Sequence, residues 1–166
     1  MISVIIYATD PTYLDRTVQG IQDRTPNLLE IIVCDDAGLQ WNHPEVVVLR
    51  TDRAGRARAW NAAADQARGD TLVFVKDKTK VSDDWTVPIE ESLGRDPNAL
   101  VSPVVHTLDL SLWMAEVSRW KRFGWRWDLN LYDRPHTSRP DSPAVSSYCI
   151  ATSAAWVAPA AGPWVA

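Results

Sequence analysis

A short apolar segment, residues 71–75, runs directly into a cluster of charges, and this junction constrains the fold more than any other stretch. The segment is β-branched, aliphatic and aromatic and follows Gly69, which is typical of a strand buried on both faces of a parallel sheet. Lys76, Asp77 and Lys78 come next. Ligands of open α/β sheets bind outside the carboxyl ends of the strands, so these three residues are candidate site residues. A solvated turn is the alternative.

Strands and helices alternate along the first hundred residues. After Asp10, a helix with an apolar stripe at Leu14, Val18 and Ile21 is predicted. Residues 108–142 lack a clean period and are interpreted as a long, partly helical excursion over the sheet face. This order predicts an α/β protein with a mostly parallel central sheet and helices on both faces. The predicted strands are 2–7, 29–34, 46–49, 71–75, 99–106 and 143–152, and the predicted helices are 11–24, 54–67, 85–93 and 153–157.

Length and composition predict a single globular domain. The 166 residues are enough to bury a core, and the charged fraction of 23% is ordinary. A net charge of -4 argues against a nucleic-acid partner, and no window is apolar and long enough to span a membrane. Cys34 and Cys149 lack metal-like spacing, so we expect buried thiols and a cytoplasmic location. The first residues do not have the pattern of a signal peptide.

Five stretches of the sequence resemble the polypeptide N-acetylgalactosaminyltransferases, in the order of that family and at similar spacing. Counted along the chain, the first four stretches are elements shared by GT-A sugar transferases in general. Two patterns favour the peptide-modifying branch: Arg-x-Gly-x-x-Arg within the third stretch, and Trp-x-Leu-Asn, which is the fifth. The stretches are Ser3-Val4-Ile5-Ile6, Ile31-Ile32-Val33-Cys34-Asp35-Asp36, Arg53-Ala54-Gly55-Arg56-Ala57-Arg58, Gly69-Asp70-Thr71-Leu72-Val73-Phe74 and Trp127-Asp128-Leu129-Asn130.

The resemblance covers residues 2–157 and implies a GT-A fold with retaining transfer of N-acetylgalactosamine from UDP to Ser or Thr hydroxyls. It predicts one GT-A domain over residues 1–166, with a nucleotide-binding half at 1–106 and a sugar and acceptor half at 107–166. From the resemblance, the catalytic flap and lectin module of the family are not expected within residues 1–166.

The metal-binding motif of the family is altered in this sequence. In the family, the strand equivalent to residues 73–75 ends in Asp-x-His, which holds manganese against the UDP diphosphate; these positions are Lys76 and Lys78 here. A protonated lysine is a donor and cannot ligate a metal. The two ammonium groups can instead stabilise the charge that builds on the departing diphosphate. We therefore predict no metal cofactor, with Lys76 and Lys78 as catalytic residues; loss of catalysis is the alternative.

The resemblance also implies a set of nucleotide-binding residues. Asp35 matches an acid near uridine or ribose, and Gly55 lets the backbone approach the nucleotide at a helix start. Tyr7 offers a stacking face, and Asp36 is interpreted as a cap of its turn. The alternatives are a solvated arginine face and a buried strand-end tyrosine. The predicted set is Tyr7, Ala8, Thr9, Asp35, Arg53, Gly55, Arg58 and Asp77.

A sugar and acceptor site is predicted in the second half of the chain. Aromatic rings pack on pyranose faces and amides bind hydroxyls, although core packing of the tryptophans is the alternative. A glycine pair that contacts the sugar in the family is replaced by Ser147 and Tyr148, which leaves the identity of the sugar open. No histidine is assigned as ligand or base. The predicted set is Trp125, Trp127, Asn130, Ser147 and Tyr148.

Three functions follow from this interpretation. The first is a retaining glycosyltransferase that moves GalNAc or a related sugar from a UDP-sugar to a protein Ser or Thr, without a metal. The second is a catalytically inactive nucleotide-sugar-binding or scaffold domain, and the third is a GT-A transferase with a glycan or lipid acceptor. The apolar residues 154–166 predict either homo-oligomer contacts or core.

Overall fold

The computed structural model describes residues 1–101 in full and the backbone of residues 105–107, 121–127, 133–136 and 149–153. A 3-10 helix, Pro11–Tyr13, precedes the first of three described α-helices. These are α1 (Leu14–Arg24), α2 (Arg56–Gln66) and α3 (Val87–Arg95). The described strands are β1 (Ile2–Ala8), β2 (Leu28–Asp35), β3 (Val47–Arg50), β4 (Thr71–Lys76), β5 (Val105–Thr107), β6 (Lys121–Trp127), β7 (Asp133–His136) and β8 (Cys149–Ser153).

The main sheet has five strands in the order β3-β2-β1-β4-β8. The pairs of β1 with β2, β1 with β4 and β2 with β3 are parallel. From β1 the chain moves outward to β2 and β3, then returns to the other side of β1 to form β4. The strand order therefore reverses between β1 and β4, which is where open α/β sheets bind their ligands.

Both faces of the main sheet are buried, as the apolar runs in the sequence predict. One face packs against α2, where Ile5, Ile32 and Phe74 join a buried cluster with Ala59 and Ala63 of the helix. The alternate strand residues point to the opposite face and are also buried, because successive side chains of a strand alternate. These include Val4, Ile6, Val33, Val73 and Val75. The α/β class with a mostly parallel sheet is thereby confirmed.

The predicted apolar stripe of α1 is buried. Leu14, Val18 and Ile21 are each 0% exposed. The start of this element differs from the prediction, because Asp10 caps the 3-10 turn through a hydrogen bond from the Thr12 amide and α1 begins only at Leu14. The proline at the first position of that turn has no amide hydrogen to leave unsatisfied.

The second half of the chain contains more strand than the sequence prediction gave it. Strands β6 and β7 lie inside the 108–142 excursion that was expected to be partly helical, and they form an antiparallel sheet with β5. The strand predicted at 99–106 is described only at Val105–Thr107, and the final strand is Cys149–Ser153 rather than 143–152. Ser153 belongs to this strand, and the rest of the predicted 153–157 helix lies outside the described residues.

The described chain divides into two compact units. One contains β1 to β4 with the helices, and the other contains β5, β6 and β7. The prediction of one domain with halves at 1–106 and 107–166 stays a prediction. Within the described ranges, no helix combines the length and apolar character needed to cross a bilayer.

Candidate functional site

The candidate site lies at the carboxyl ends of β1, β2 and β4, beside the point where strand order reverses. The register pairs Tyr7 with Cys34 on one side and with Lys76 on the other. The predicted residues Tyr7, Asp35 and Lys76 therefore lie at the same edge of the sheet. The loops that follow these strands carry most of the other predicted residues.

Asp77 fixes the loop that follows β1. Its amide donates to the Tyr7 carbonyl oxygen at 3.0 Å, which extends the pairing of β1 with β4 by one residue. Its Oδ2 accepts hydrogen bonds from the Thr9 amide (2.7 Å), the Thr9 hydroxyl (3.1 Å) and the Asp10 amide (2.9 Å). Asp77 is buried, so this carboxylate is a structural clamp in the described state. Its predicted nucleotide-binding role stays a prediction.

The two predicted catalytic lysines have different backbone settings. Lys76 is the last residue of β4, whereas Lys78 lies in the following turn with a left-handed backbone, φ +64°. The Thr79 hydroxyl closes that turn by donating to the Lys76 carbonyl oxygen at 2.6 Å. Strand alternation therefore ends before Lys78, and the turn, not the pleat, sets the direction of this side chain.

Lys78 is paired with Asp10, which the sequence places only at the start of a helix. Its Nζ lies 2.6 Å from Asp10 Oδ2, and the two side chains are 34% and 36% exposed. The hydrogen bond that Lys78 donates to Asp10 raises the pKa of Lys78, and the same contact holds the pKa of Asp10 well below its usual range. Both groups are therefore charged across the neutral range.

Asp36 connects three parts of the site. Its Oδ2 accepts hydrogen bonds from the Tyr7 hydroxyl (2.9 Å) and the Gly55 amide (3.1 Å), and its Oδ1 accepts one from the Thr51 hydroxyl (2.7 Å). Burial alone would raise the pKa of Asp36, but these hydrogen bonds and one from the Ala54 amide lower it. Asp36 therefore holds the loop between β3 and α2 against the end of β1.

Asp35 has one carboxylate oxygen that is buried without a hydrogen bond among the described residues. The side chain is 2% exposed, and its Oδ1 accepts a hydrogen bond from the Leu39 amide at 2.8 Å. The other oxygen, Oδ2, has Arg50 Nε at 3.8 Å, which is too far for a hydrogen bond. A buried carboxylate oxygen normally has a donor, so this one is suited to a hydroxyl or N–H group of a ligand.

The loop before α2 has a backbone that favours glycine at its last position. Gly55 has φ +85° and precedes the helix, as predicted, and its amide is bound to Asp36. Arg53 has φ +58° and is exposed, and Arg58 is exposed on the first turns of α2. Neither arginine side chain has a hydrogen bond or ion pair within the described part of the chain. Arg56, by contrast, stacks over Trp60 at 5.2 Å.

The remaining predicted residues are only partly placed. Ala8 ends β1 in register with Asp35 and is buried, and Thr9 is bound to Asp77. Tyr7 is partly buried with its hydroxyl on Asp36, so the structure gives it a hydrogen-bonding role. Trp125 and Trp127 lie in β6, with no description of their side chains. Asn130, Ser147 and Tyr148 lie outside the described residues.

A divalent cation does not fit the residues found where the family resemblance implies one. Positions 76 and 78 carry ammonium groups, and the Oδ2 of Asp77 is occupied by three donors. Within the part of the chain that the structure describes, no three His, Cys, Asp or Glu side chains gather as metal ligands.

Asp10 and Asp36 are the site residues that the sequence analysis missed. Both were interpreted only in their local setting, Asp10 before a helix and Asp36 as the cap of its turn, because the sequence gives no sign of partners that lie far along the chain. Asp10 contacts a lysine 68 positions later, and Asp36 contacts Tyr7 29 positions earlier. The available signal was their place just after apolar strands, Asp36 directly after β2 and Asp10 two residues after β1, since ligands of open α/β sheets bind beside these ends.

Comparison with known proteins assigns the chain to a family. The model of glycosyl transferase family 2 matches residues 2–157. The chain therefore belongs to glycosyl transferase family 2. Human polypeptide N-acetylgalactosaminyltransferase 14 is 31% identical over an alignment of 127 residues, and the match covers 70% of this chain and 23% of that protein. The inactive polypeptide N-acetylgalactosaminyltransferase-like protein 5 of Macaca fascicularis is 27% identical over 146 residues, covering 78% and 33% of the two chains.

A crystal structure of GalNAc-T7 with UDP, GalNAc and Mn²⁺ has the same fold, with a TM-score of 0.69 and 19% identity. The match covers 93% of this chain and 35% of that one. The GT-A fold and the relationship to polypeptide N-acetylgalactosaminyltransferases are thereby confirmed. The chain spans about a quarter of the length of the first curated relatives it matches.

Proposed function

We propose that this chain carries the nucleotide-sugar site of a retaining glycosyltransferase that works without a metal. The sugar, GalNAc or a related one, would pass from a UDP-sugar to a protein Ser or Thr hydroxyl. The observation that carries this proposal is the presence of Lys76 and Lys78 at the carboxyl end of β4, next to β1. These are the positions at which the family resemblance implies metal ligands.

The transfer reaction requires positive charge beside the leaving diphosphate. The bond between the anomeric carbon and the β-phosphate oxygen breaks, a new bond forms to the acceptor oxygen, and the acceptor proton passes to a phosphate oxygen. Negative charge builds on the departing diphosphate, and preorganised donors stabilise that charge. Each ammonium group brings up to three N–H donors to phosphate oxygens. A retaining reaction of this kind needs no protein base, because the leaving phosphate accepts the proton.

The neighbouring residues suit a nucleoside diphosphate. Asp35 has a buried oxygen that lacks a donor, which matches a hydroxyl or N–H of the nucleoside. Arg53 and Arg58 are exposed around Gly55, whose left-handed backbone opens the helix start to an anion. This arrangement supports binding of the nucleoside near β2 and of the diphosphate near β4 and α2.

The sugar and acceptor sides of the proposal rest on the family resemblance. Trp125, Trp127 and Asn130 are assigned to the sugar and acceptor by their match to the family pattern. Ser147 and Tyr148, with larger side chains than the family's glycines, would narrow the space for the sugar.

A second function, nucleotide-sugar binding without catalysis, is favoured by the Asp10–Lys78 contact. An ammonium group that is already ion-paired at 2.6 Å gives less net charge to a leaving diphosphate. The Macaca fascicularis relative, which matches 78% of this chain, is named as inactive. Turnover decides between the two functions, because a silent domain binds UDP and transfers nothing.

The first test measures calorimetric binding of UDP and turnover of UDP-GalNAc, each with EDTA and then with added manganese. We expect both signals to persist in EDTA. Replacing Lys76 or Lys78 by Ala should weaken UDP binding and lower turnover by about 100-fold or more, the usual effect of removing one charge-stabilising donor. Lys80→Ala is the matched control, since this exposed lysine lies two residues after Lys78, just beyond the turn, and not at a family metal position.

Each other outcome has a distinct meaning. Strict dependence on manganese would contradict the metal-free mechanism. UDP binding without transfer to any peptide, glycan or lipid acceptor would leave the binding function in place of the enzyme. Equal losses from Lys80→Ala and Lys78→Ala would show that only general surface charge matters.

A cytoplasmic location and assembly as a homo-oligomer complete the proposal. Cys34 is a free, buried thiol, and burial raises its pKa to about 12, so it stays protonated and unreactive. This state suits a reducing compartment. Oligomer contacts are proposed for the apolar residues 154–166.

A further inference from the structure

The ion pair between Asp10 and Lys78 lies in the middle of the candidate diphosphate site. Asp10 follows β1 and Lys78 follows β4, and these two strands are neighbours at the point where strand order reverses. With Lys76 and Asp77, the two strand ends carry two ammonium groups and two carboxylates, which cancel. The described state therefore brings no net charge from these four residues to an anionic ligand.

We propose that Asp10 is a built-in counter-anion for Lys78, which a nucleotide diphosphate displaces from the lysine when it binds. Asp10 thus sets the affinity of the site for the nucleotide and prevents weaker anions from occupying it. This inference rests on the proposed function, because it assigns a role within the same diphosphate site.

Asp10 is held in place, so the lysine is the partner that can move. The Asp10 amide is bound to Asp77, and its Oδ1 accepts a hydrogen bond from the Thr12 amide at 2.9 Å. Lys78 has a flexible four-carbon stem with three N–H donors, and its side chain is 34% exposed, so it can turn toward a second acceptor.

A diphosphate can compete with the carboxylate for the same ammonium group. It carries more negative charge than a carboxylate and offers several oxygens, and charge-assisted hydrogen bonds to phosphate are strong. A partly exposed ion pair is worth little, typically about 0.2–1 kcal/mol, and thus is easily exchanged. Removal of the Asp10 charge should therefore tighten nucleotide binding by about 1.5- to 5-fold, the same free energy expressed as a ratio.

The experiment measures the dissociation constant of UDP by calorimetry at low salt for the wild type, Asp10→Asn, Lys78→Ala and the double variant. Asn is also a good N-cap, so its side-chain oxygen can still accept the Thr12 amide hydrogen and preserve the turn. Asp10→Ser provides a second uncharged cap. The control is Asp65→Asn, which makes the same change in net charge at an exposed residue near the end of α2.

We expect Asp10→Asn and Asp10→Ser to bind UDP more tightly than the wild type, and Asp65→Asn to match the wild type. In the Lys78→Ala background, the Asp10→Asn change should lose most of its effect, because the competing pair is already gone.

Two results would overturn the inference, and they differ in what else they remove. If the wild type binds UDP but Asp10→Asn binds it equally or more weakly, Asp10 is not a competitor and the proposed function stands. If neither the wild type nor any variant binds UDP, the proposed function is wrong, and the inference, which rests on it, is wrong as well.

Discussion

Asp36 illustrates how much a single residue contributes to this site. Its carboxylate accepts hydrogen bonds from β1, through Tyr7, and from the loop before α2, through Thr51 and Gly55. A buried acceptor with several donors is costly to remove, because each donor then loses its partner.

Asp36→Asn should therefore destabilise the protein by about 1–3 kcal/mol, since an amide replaces an ionised acceptor and directs N–H groups at donors. Urea denaturation at neutral pH measures this change. Tyr7→Phe removes only one of the hydrogen bonds and should cost about 1 kcal/mol. A loss in Asp36→Asn no larger than in Tyr7→Phe would contradict the connecting role assigned to Asp36.

At the scale of the elements, Gly69 shows where the main sheet has no spare room. A Cβ atom at this position would lie 2.6 Å from the Ser3 amide nitrogen and 2.7 Å from its hydroxyl oxygen. That hydroxyl accepts a hydrogen bond from the Gly69 amide and donates one to Glu30. The entry to β4 thus packs directly on the start of β1.

Gly69→Ala should destabilise the protein by about 1–3 kcal/mol, because overpacking forces the two strand ends apart. Gly94→Ala is the matched control: a Cβ there meets nothing within 4 Å, and Gly94 lies in α3, where Ala is the better helix former by about 1 kcal/mol. Thermal and urea unfolding of both variants measure the effects. Equal stability of the two variants would contradict the close approach of β1 and β4.

The elements also show which parts of the fold the sequence could predict. The core strands were predicted to within one or two residues at each end, because continuous apolar runs mark strands buried on both faces. Strand β6 was missed although its pattern was present: Phe123, Trp125 and Trp127 alternate with Arg122, Gly124 and Arg126. This two-residue period is typical of a strand, and the surrounding prolines and tryptophans obscured it.

For the site, the sequence could predict the location but not the pairing. Lys76 and Lys78 were expected at the carboxyl end of a strand, and the structure has them there. The sequence gives no sign that Lys78 has a left-handed backbone and is ion-paired with Asp10. A turn conformation and a partner 68 positions away depend on tertiary packing, which local sequence patterns do not encode.

On the scale of the whole molecule, the partly buried Tyr7 links the site to the stability of the protein at high pH. Burial, with the hydrogen bond to Asp36, raises the pKa of Tyr7 from 10.0 to about 12. The folded protein keeps this proton in a range where the unfolded chain has lost it. A raised folded pKa gives stability that is fully present below the unfolded pKa and is lost as the pH rises through the folded pKa.

The free energy of unfolding should consequently fall between pH 10 and about 12 in the wild type, and fall less in Tyr7→Phe. Urea unfolding midpoints of the two proteins at about pH 9 and about pH 11 measure the difference, with lysine titration common to both. Parallel losses in the wild type and Tyr7→Phe would show that Tyr7 is not the responsible group.

The clamp made by Asp77 has a consequence for how this chain can change over evolution. Asp77 holds the loop after β1 with three hydrogen bonds, while the residues on either side of it carry the charges of the proposed chemistry. Within this tripeptide, the middle residue thus has the structural role, and the two outer residues have the proposed chemical role. A lineage can exchange residues 76 and 78, and with them the means of neutralising a phosphate, while the clamp continues to preserve the shape of the crevice.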